Sequence, residues 1–380
     1  MFLPSQKHLT EWWSMISIPL PLLFLLLLTL LLFWDSIIYP SLLSVLYPSS
    51  LKHLHHRVVL ITGAGRSQGI GYHLASTFLR HECHVVLWDV DADALAQAKR
   101  TLTSEASARN QSGQSSQSSP PRIITQVVDV SDVVAVRSAA SILRGMPNLS
   151  PISVLVHNAG IVHGKPITEL TADNIQSTFS VNVMAQYISL QTFLPDMLRR
   201  NDGLVVTMSS MMGMMGGANL SDYCGSKWAL LGLDESLRME LRRRDRDACG
   251  VRTLAVCPYM VNTGMFRGAF GENGQSSDAT MLRRCMDSIR DALVPKLSPE
   301  AVAQAVVIAA SRSLIPGGSS CGCGARGKLL VLPTRLSLIP ALLRLFPIGM
   351  QEWILDLGGG TMGMNGFQGH SKNVVRAKHT

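Results

Sequence analysis

A glycine-rich loop between an apolar strand and a helix is the feature that most constrains the fold of this chain. The run Arg57–Thr62 has the continuous apolar character of a strand buried on both faces, and it leads into the loop TGAGRSQGIG at Thr62–Gly71. A helical pattern follows as far as Arg80. Strand, glycine loop and helix in this order open a βαβ unit. We therefore predict an α/β fold with a doubly wound parallel sheet.

The loop and the strand that follows it are suited to a dinucleotide. The loop backbone can approach a pyrophosphate closely, and the helix that it opens offers free N–H groups and a positive dipole end. The next strand, His84–Asp89, ends in a carboxylate that can bond ribose hydroxyls, so Asp89 favours NAD over NADP. Arg66 opposes this, since it could pair with a 2′-phosphate. The sequence thus predicts a Rossmann-type site for NAD or NADP, with contacts from Gly63, Gly65, Arg66, Gly69, Ile70, Gly71 and Asp89.

Two further predicted strands end in polar or small residues. Ile123–Val128 leads into Asp129 and Val130, and Ile152–Val156 leads into His157-Asn158-Ala159-Gly160. Residues just beyond the carboxyl ends of parallel strands face the ligand crevice of an open α/β sheet. We therefore add Asp129, Val130, Asn158, Ala159 and Gly160 to the cofactor contacts. The Ser/Gln-rich tract at 103–121 is predicted to be a flexible insertion.

A serine, a tyrosine and a lysine carry the candidate chemistry. Ser210 follows the strand-like run Gly203–Met208, and Tyr223 and Lys227 lie four residues apart on one face of a predicted helix. A nearby ammonium and the positive ring of a cofactor favour the ionised form of a phenol, so Tyr223 can exchange a proton with a substrate oxygen. Ser210 would stabilise charge on that oxygen, and Lys227 would also reach the nicotinamide ribose. Asn182 could hold a water that connects Lys227 to solvent.

These motifs together resemble the short-chain dehydrogenase/reductase family. The resemblance covers about Arg57–Pro333 and rests on TGAGRSQGIG, Asp129, the NAG of Asn158–Gly160, Asn182, Ser210 and YCGSK at Tyr223–Lys227. LITGAG, VLWDVD, FLPDML and CPYMVNTGMFRG further resemble the membrane-anchored branch with retinol dehydrogenase 10-like and microsomal 17β-hydroxysteroid dehydrogenase-like enzymes. The glycine loop departs from the family pattern, because five residues separate Gly63 from Gly69 instead of three.

The resemblance implies roles for individual residues. It implies a catalytic tetrad of Asn182, Ser210, Tyr223 and Lys227, of which Tyr223 and Lys227 also contact the cofactor. Val261 and Thr263 would contact the nicotinamide carboxamide. Family habit also implies a possible homodimer, paired through the helices around 186–199 and 223–243.

Residues 1–50 are predicted to form an N-terminal membrane anchor and linker. Ile16–Trp34 carries no charge and is long enough to cross a bilayer, and tryptophans lie at both of its ends. Pro19 and Pro21 also allow a hairpin held in one leaflet. Cleavage as a signal peptide is disfavoured, since no Ala-x-Ala pattern follows. Basic residues after the segment keep the main domain on the cytoplasmic side, at the endoplasmic reticulum or a lipid droplet.

The remaining segments point to a lipophilic substrate. The loop Met211–Gly217 is rich in adaptable methionines, 264–295 is predicted to be a substrate lid, and the tail at 334–380 has an apolar, interfacial character. The net charge of +8 comes without a nucleic-acid motif, so an anionic membrane is the better partner. Cys321 and Cys323 alone make no metal site.

The sequence therefore predicts a single catalytic domain over 57–333 that is an NAD(P)-dependent oxidoreductase. It would interconvert hydroxyl and carbonyl groups on a retinoid, a steroid or a fatty alcohol or ketone. The alternative is a catalytically inactive membrane scaffold that binds a nucleotide.

Overall fold

The computed structural model describes residues 50–111, 121–244, 250–266, 296–314, 327–337, 339–357 and 364. Within this part of the chain, seven parallel strands form one sheet in the order β3-β2-β1-β4-β5-β6-β7. The strands are β1 (Val58–Thr62), β2 (His84–Asp89), β3 (Ile123–Val127), β4 (Val154–His157), β5 (Gly203–Met208), β6 (Val251–Pro258) and β7 (Gly327–Leu332). The predicted α/β class and parallel sheet are confirmed.

Helices connect the strands and cover both faces of the sheet. They are α1 (Ile70–Arg80), α2 (Ala92–Gln111), α3 (Val133–Gly145), α4 (Ala172–Phe179), α5 (Ala185–Arg200), α6 (Ser221–Arg244), α7 (Pro299–Ser313), α8 (Ile339–Leu343) and α9 (Ile348–Leu357). One turn of π-helix, Ser180–Met184, joins α4 to α5. Three short 3-10 turns, Ser50–Leu54, Met211–Gly213 and Thr334–Leu336, complete the described elements.

The strands are apolar on both faces because both faces pack against helices. In β1 every residue is buried: Val59 and Ile61 join the core with α1, α2 and α7, while Val58 and Leu60 join the core with α3, α5 and α6. Each buried Val, Leu or Ile side chain stabilises the fold by about 1.5–3 kcal/mol relative to exposure. This three-layer packing explains why the strands read as unbroken apolar runs rather than as alternating ones.

The strand order reverses at β1, and this reversal creates a crevice next to β1. From β1 the chain moves outward to β2 and β3, and then crosses back to β4 on the other side of β1. The loops after β1 and β4 therefore diverge and leave a crevice at the carboxyl edge of the sheet. The glycine loop and the His157–Gly160 segment lie at this crevice.

The predicted flexible insertion begins later than the sequence suggests, so the prediction was wrong for 103–111, which continue helix α2. Hydroxyl groups on this stretch bond back to the helix: Thr103 Oγ1 donates to Lys99 O and Ser107 Oγ donates to Thr103 O. Glu105 also fastens the helix to α1, since its carboxylate accepts hydrogen bonds from the Tyr72 and Ser76 hydroxyls at 3.1 and 3.0 Å. The Ser/Gln-rich composition of this segment gives no indication of these tertiary contacts.

Several predicted segments lie outside the described residues. These are the apolar run 16–34, the rest of the insertion at 112–120, and 267–295 of the predicted lid. Among the helices that the structure describes, none has the length and apolar character needed to cross a membrane. In the tail, the described helices α8 and α9 have only 5 and 10 residues.

Candidate active site

The glycine loop packs so closely on the neighbouring strand end that side chains are excluded from it. Gly63 has a φ of +67°, and a Cβ there would lie 2.8 Å from the Ala159 Cα. A Cβ on Gly71 would lie 2.5 Å from the Gly63 carbonyl oxygen and 2.7 Å from Asn158 Nδ2. These positions therefore require glycine, because their neighbours are backbone or firmly held groups.

The lengthened loop is accommodated as a turn before the helix. The Gly69 N–H donates to Arg66 O at 2.9 Å, and α1 begins at Ile70 with Gly69 as its N-cap and no side-chain cap. The first N–H groups of α1 thus face the crevice without a side-chain acceptor at the N-cap. Such an end of a helix attracts phosphate.

Asp89 lies beside the glycine loop, at the carboxyl end of β2. Its Oδ2 accepts a hydrogen bond from the Gly65 N–H at 2.9 Å, and its Oδ1 accepts one from the Asp91 N–H at 3.2 Å. Each contact leaves the carboxylate further acceptor capacity. The Asp89 carboxylate therefore lies next to the glycine loop, where it could bind a ribose.

Asn158, one of the predicted cofactor contacts, uses its side-chain amide to bind the glycine loop. Its Nδ2 donates to the Thr62 and Gly63 carbonyl oxygens at 2.9 and 3.0 Å. The Asn158 and Ala159 N–H groups both donate to Thr62 Oγ1 at 3.0 Å. The amide thus holds the glycine loop onto the end of β4. Thr62 was missed as a site residue in the sequence, although it directly precedes the first loop glycine.

The end of β3 contributes a carboxylate turn and an apolar wall. Asp129 Oδ1 accepts hydrogen bonds from the Ser131 N–H and hydroxyl at 2.9 and 2.6 Å. Val130 is buried and lines a small cavity together with Ala159 and Asn182. The structure therefore brings the segments that follow β3 and β4 to the wall of one cavity.

Ser210, Tyr223 and Lys227 meet at the carboxyl end of β5. The Ser210 side chain is close enough to the Tyr223 phenol to act on its pKa. Lys227 Nζ lies 5.5 Å from the centroid of the Tyr223 ring and donates to the Met208 carbonyl oxygen at 2.9 Å. All three residues are buried, with exposed fractions of 7%, 4% and 5%. One helical turn on α6 thus presents the phenol and the ammonium on one face, as predicted.

Burial changes the titration of this group. It lowers the pKa of Lys227 to about 8, because the ammonium loses its hydration. Burial also raises the pKa of Tyr223, and the neighbouring Ser210 side chain only partly opposes the increase. In the protein chain by itself, burial therefore outweighs the polar neighbours of the phenol. That Lys227 and the positive ring of a cofactor together favour the ionised phenol stays a prediction.

Asn182 lies in the π-helical turn and connects three segments. Its Oδ1 accepts from the Ile161 N–H at 2.8 Å, and its Nδ2 donates to Ile161 O and Ser226 Oγ at 3.0 and 2.9 Å. A Cβ on Gly160 would lie 3.3 Å from Asn182 Oδ1 and 3.6 Å from Lys227 Nζ. Because Gly160 has no side chain, the Asn182 amide and the Lys227 ammonium can both lie close to its backbone.

The segment after β6 folds back over the site. Val261 pairs with Leu297 in an isolated bridge, and the Thr263 N–H donates to Val261 O at 2.9 Å. A Cβ on Gly264 would lie 3.4 Å from Gln68 Oε1 of the glycine loop. The segment that carries Val261 and Thr263 therefore lies next to the glycine loop.

An apolar wall surrounds the tyrosine. Tyr223 clusters with Val162, Leu220, Cys224, Met364, Met212, Met265 and Phe266. The Phe266 ring packs edge-on against the phenol, with the ring centroids 5.6 Å apart. Met212 lies in the methionine-rich loop, and Met265 and Phe266 lie in the segment 264–295, both of which the sequence links to the substrate. Val162, Leu220 and Cys224 carry no such local pattern.

The described residues fit a nicotinamide dinucleotide. A side-chain-free cradle at Gly63 and Gly71, a helix N-terminus without a side-chain cap and the Asp89 carboxylate lie on one side of β1. The Ser210–Tyr223–Lys227 group lies on the other side, at the end of β5. A bound dinucleotide would be held by its phosphates and adenosine ribose at the first group, with its reactive ring at the second.

Comparison with known proteins gives a family match and two sets of relatives. The sequence model of the family described as short chain dehydrogenase matches residues 57–273. Retinol dehydrogenase 10-B of Xenopus laevis and retinol dehydrogenase 10 of Homo sapiens are each 36% identical to this chain over 228 residues. Each match covers 57% of this chain and 65% of the relative, so the chain spans somewhat less than two thirds of these curated relatives.

Solved structures share the fold. A short-chain dehydrogenase/reductase of Burkholderia phymatum in complex with NAD is 24% identical, has a TM-score of 0.58 and aligns over 77% of this chain and 94% of its own. A putative NAD(P) dependent gluconate 5-dehydrogenase of Beutenbergia cavernae with bound NADP is 25% identical, has a TM-score of 0.54 and aligns over 73% of this chain and 95% of its own.

Proposed function

The chain belongs to the short-chain dehydrogenase family, and we propose that it is an NAD(P)-dependent oxidoreductase that interconverts a hydroxyl and a carbonyl on a lipophilic molecule. The observation that carries the proposal is the meeting of Ser210, Tyr223 and Lys227 beside the glycine loop. Each of these residues alone could have a purely structural role. Their joint burial at the edge of a dinucleotide crevice favours a catalytic role.

The protein's own groups would manage the proton. The nicotinamide nucleotide, when bound, supplies or accepts the hydride. The Tyr223 hydroxyl exchanges a proton with the substrate oxygen, and the Ser210 hydroxyl donates a hydrogen bond to that oxygen as charge develops on it. Lys227, held by the Met208 carbonyl, keeps a positive charge beside the phenol below about pH 8.

NAD is the favoured cofactor in this proposal. The Asp89 carboxylate lies against Gly65, where it can accept hydrogen bonds from ribose hydroxyls and would repel a 2′-phosphate. The solved relatives include complexes with NAD and with NADP, so they leave the choice to this chain's own residues.

The substrate is proposed to be an apolar alcohol or ketone. The wall around Tyr223 is built from aliphatic, aromatic and sulfur-containing side chains. The curated relatives are named retinol dehydrogenases, which supports a retinoid within the wider class of retinoids, steroids and fatty alcohols.

We propose that the enzyme works on a membrane, at the endoplasmic reticulum or a lipid droplet, with the catalytic domain on the cytoplasmic side. The described tail exposes five large apolar side chains within one short stretch: Leu342, Leu345, Phe346, Ile348 and Met350. The apolar run at 16–34 in the sequence supports the same setting. Exposed Tyr187 on α5 and Trp228 on α6 support the proposed homodimer.

The test is a turnover assay on membranes that contain the full chain. Lipophilic alcohols are offered with NAD or NADP, and NADH or NADPH formation is followed. Tyr223→Phe should lower turnover by a factor of about 10²–10⁴, because it removes the proton-transfer group and little else. Tyr187→Phe removes the same atom from an exposed tyrosine outside the site and should leave turnover unchanged. Equal activity of wild type and Tyr223→Phe would refute the proposal.

A further inference from the structure

A histidine, a buried threonine and a buried aspartate form a cluster next to the catalytic tyrosine. His163 Nδ1 lies 2.9 Å from Thr178 Oγ1 and 3.3 Å from Asp222 Oδ2. Thr178 Oγ1 donates to the same Asp222 oxygen at 2.7 Å. His163 is in the loop after β4, Thr178 is in α4, and Asp222 is in the first turn of α6, immediately before Tyr223. The cluster therefore joins three segments around the residue that handles the proton.

The hydrogen bonds of the cluster are all satisfied together when His163 Nδ1 carries a hydrogen. The Thr178 hydroxyl spends its only proton on Asp222, so it can only accept from the imidazole. The carboxylate also accepts only. His163 Nδ1 therefore carries a hydrogen and donates it into the cluster. This is the arrangement in which a carboxylate orients an imidazole.

The aspartate depends on these two partners. Its side chain is fully buried, and among the described residues its other oxygen, Oδ1, has no hydrogen-bond partner. A buried carboxylate with so few donors is costly, so each remaining donor matters more than an ordinary surface contact. Loss of one donor would drive Asp222 to find another, and the first turn of α6 would move with it.

We propose that His163 is a positioning residue for Tyr223, and that it acts through Asp222 as part of a clamp with Thr178. The clamp holds the first turn of α6 against α4 and against the loop that carries Gly160 and Ile161, which contact the Asn182 and Lys227 group. This inference rests on the proposed oxidoreductase function. A displacement of the phenol by about 1 Å is enough to cost as much as 10²-fold in rate.

The test compares kcat with substrate KM and cofactor affinity in full-length protein in membranes. His163→Leu should lower kcat about tenfold, while the alcohol KM and the dissociation constant of NADH change less than twofold. His163→Asn keeps an N–H near the place of Nδ1 and should restore kcat to within about threefold of wild type. Thr178→Val should behave like His163→Leu, and Thr178→Ser should behave like wild type.

Lys165→Met is the matched control. Lys165 lies in the same loop and its Nζ donates to Asn174 of α4 at 3.2 Å, so it also fastens the loop to α4 but does not reach α6. The control should leave kcat unchanged. All rates are expressed per NADH-binding site, so loss of folded protein does not count as loss of kcat.

The outcomes separate the two proposals. If wild type turns over and Tyr223→Phe does not, the proposed function stands. An unchanged kcat per site in both His163→Leu and Thr178→Val would then overturn the clamp. An equal fall of kcat in Lys165→Met would overturn it as well, because the effect would belong to the loop as a whole. Absence of turnover in wild type with the full panel would count against the function itself.

Discussion

Burial of the Lys227 ammonium lowers the stability of the folded protein. Its ammonium is buried with one carbonyl acceptor and an aromatic face as its neighbours. Burial lowers its pKa from 10.5 to about 8, so the unfolded chain binds the proton more tightly than the folded one. This shift corresponds to a destabilisation on the order of 3 kcal/mol at pH 7.

Lys227→Met should therefore raise the melting temperature at pH 7 while abolishing turnover. In wild type this destabilisation is fully present below about pH 8, where both states are protonated. Above pH 8 only the unfolded chain keeps the proton, and the destabilisation fades as the pH rises toward 10.5 and the unfolded chain loses it too. The stabilisation by Lys227→Met should shrink over the same range. Thermal unfolding between pH 7 and pH 10 measures it, with Lys99→Met on the exposed face of α2 as the control. A melting difference that stays constant with pH would contradict this account.

Helix α1 and the glycine loop form a unit whose geometry depends on missing side chains. The contacts of Gly71 are with the Gly63 carbonyl and the Asn158 amide, and the same amide fixes the loop to β4. An added methyl group at this point has no flexible neighbour to displace. The loop itself must move away from the sheet.

Gly71→Ala should weaken NADH binding at least tenfold, because the Cβ pushes the Gly63 carbonyl and Asn158 out of place. Gly145→Ala in α3 is the control: no heavy atom lies within 4 Å of its Cβ, and it should leave binding unchanged. NADH fluorescence titration of both variants measures the difference. Equal affinities for the two variants would show that the loop yields at this site.

The sequence predicts elements well where their signal is local. β1, α1 and β2 follow from apolar runs and glycine spacing, and the Tyr223–Lys227 pair follows from a four-residue helical step. The extension of α2 to Gln111 depends on the contacts of Glu105 with α1, and no local pattern contains those contacts. The His163–Asp222 cluster is hidden for the same reason. An aspartate in the first turn of a helix looks like an ordinary helix-dipole partner until the fold brings a histidine from 59 residues away.

At the scale of the whole molecule, the described tail contributes some side chains to the core and exposes others to solvent. Leu336 and Leu343 are buried, and Arg344 stacks over the Trp228 ring of α6 at 4.8 Å. The neighbouring Leu345 and Ile348 are 79% and 73% exposed. Deletion of the tail would therefore damage the core, and substitution of its exposed residues is the cleaner experiment.

Leu345→Asp combined with Ile348→Asp should raise the KM for a membrane-dissolved long-chain alcohol severalfold. Two carboxylates on this surface would oppose contact with lipid, so less substrate would enter from the bilayer. The KM for a short water-soluble alcohol and the affinity for NADH should stay unchanged. Kinetics in vesicles of phosphatidylcholine and phosphatidylserine test this.

Val134→Asp on α3, an equally exposed apolar residue, is the control for an added charge. If the double variant at 345 and 348 behaves like this control with both alcohols, the tail has no part in access to the membrane.

The wall around Tyr223 has an evolutionary consequence. Its members come from the loops after β4, β5 and β6 and from Met364, whereas the dinucleotide cradle belongs to the first βαβ unit. After gene duplication, substitutions in those loops and in the tail could therefore change the substrate specificity, while the cofactor site is inherited unchanged.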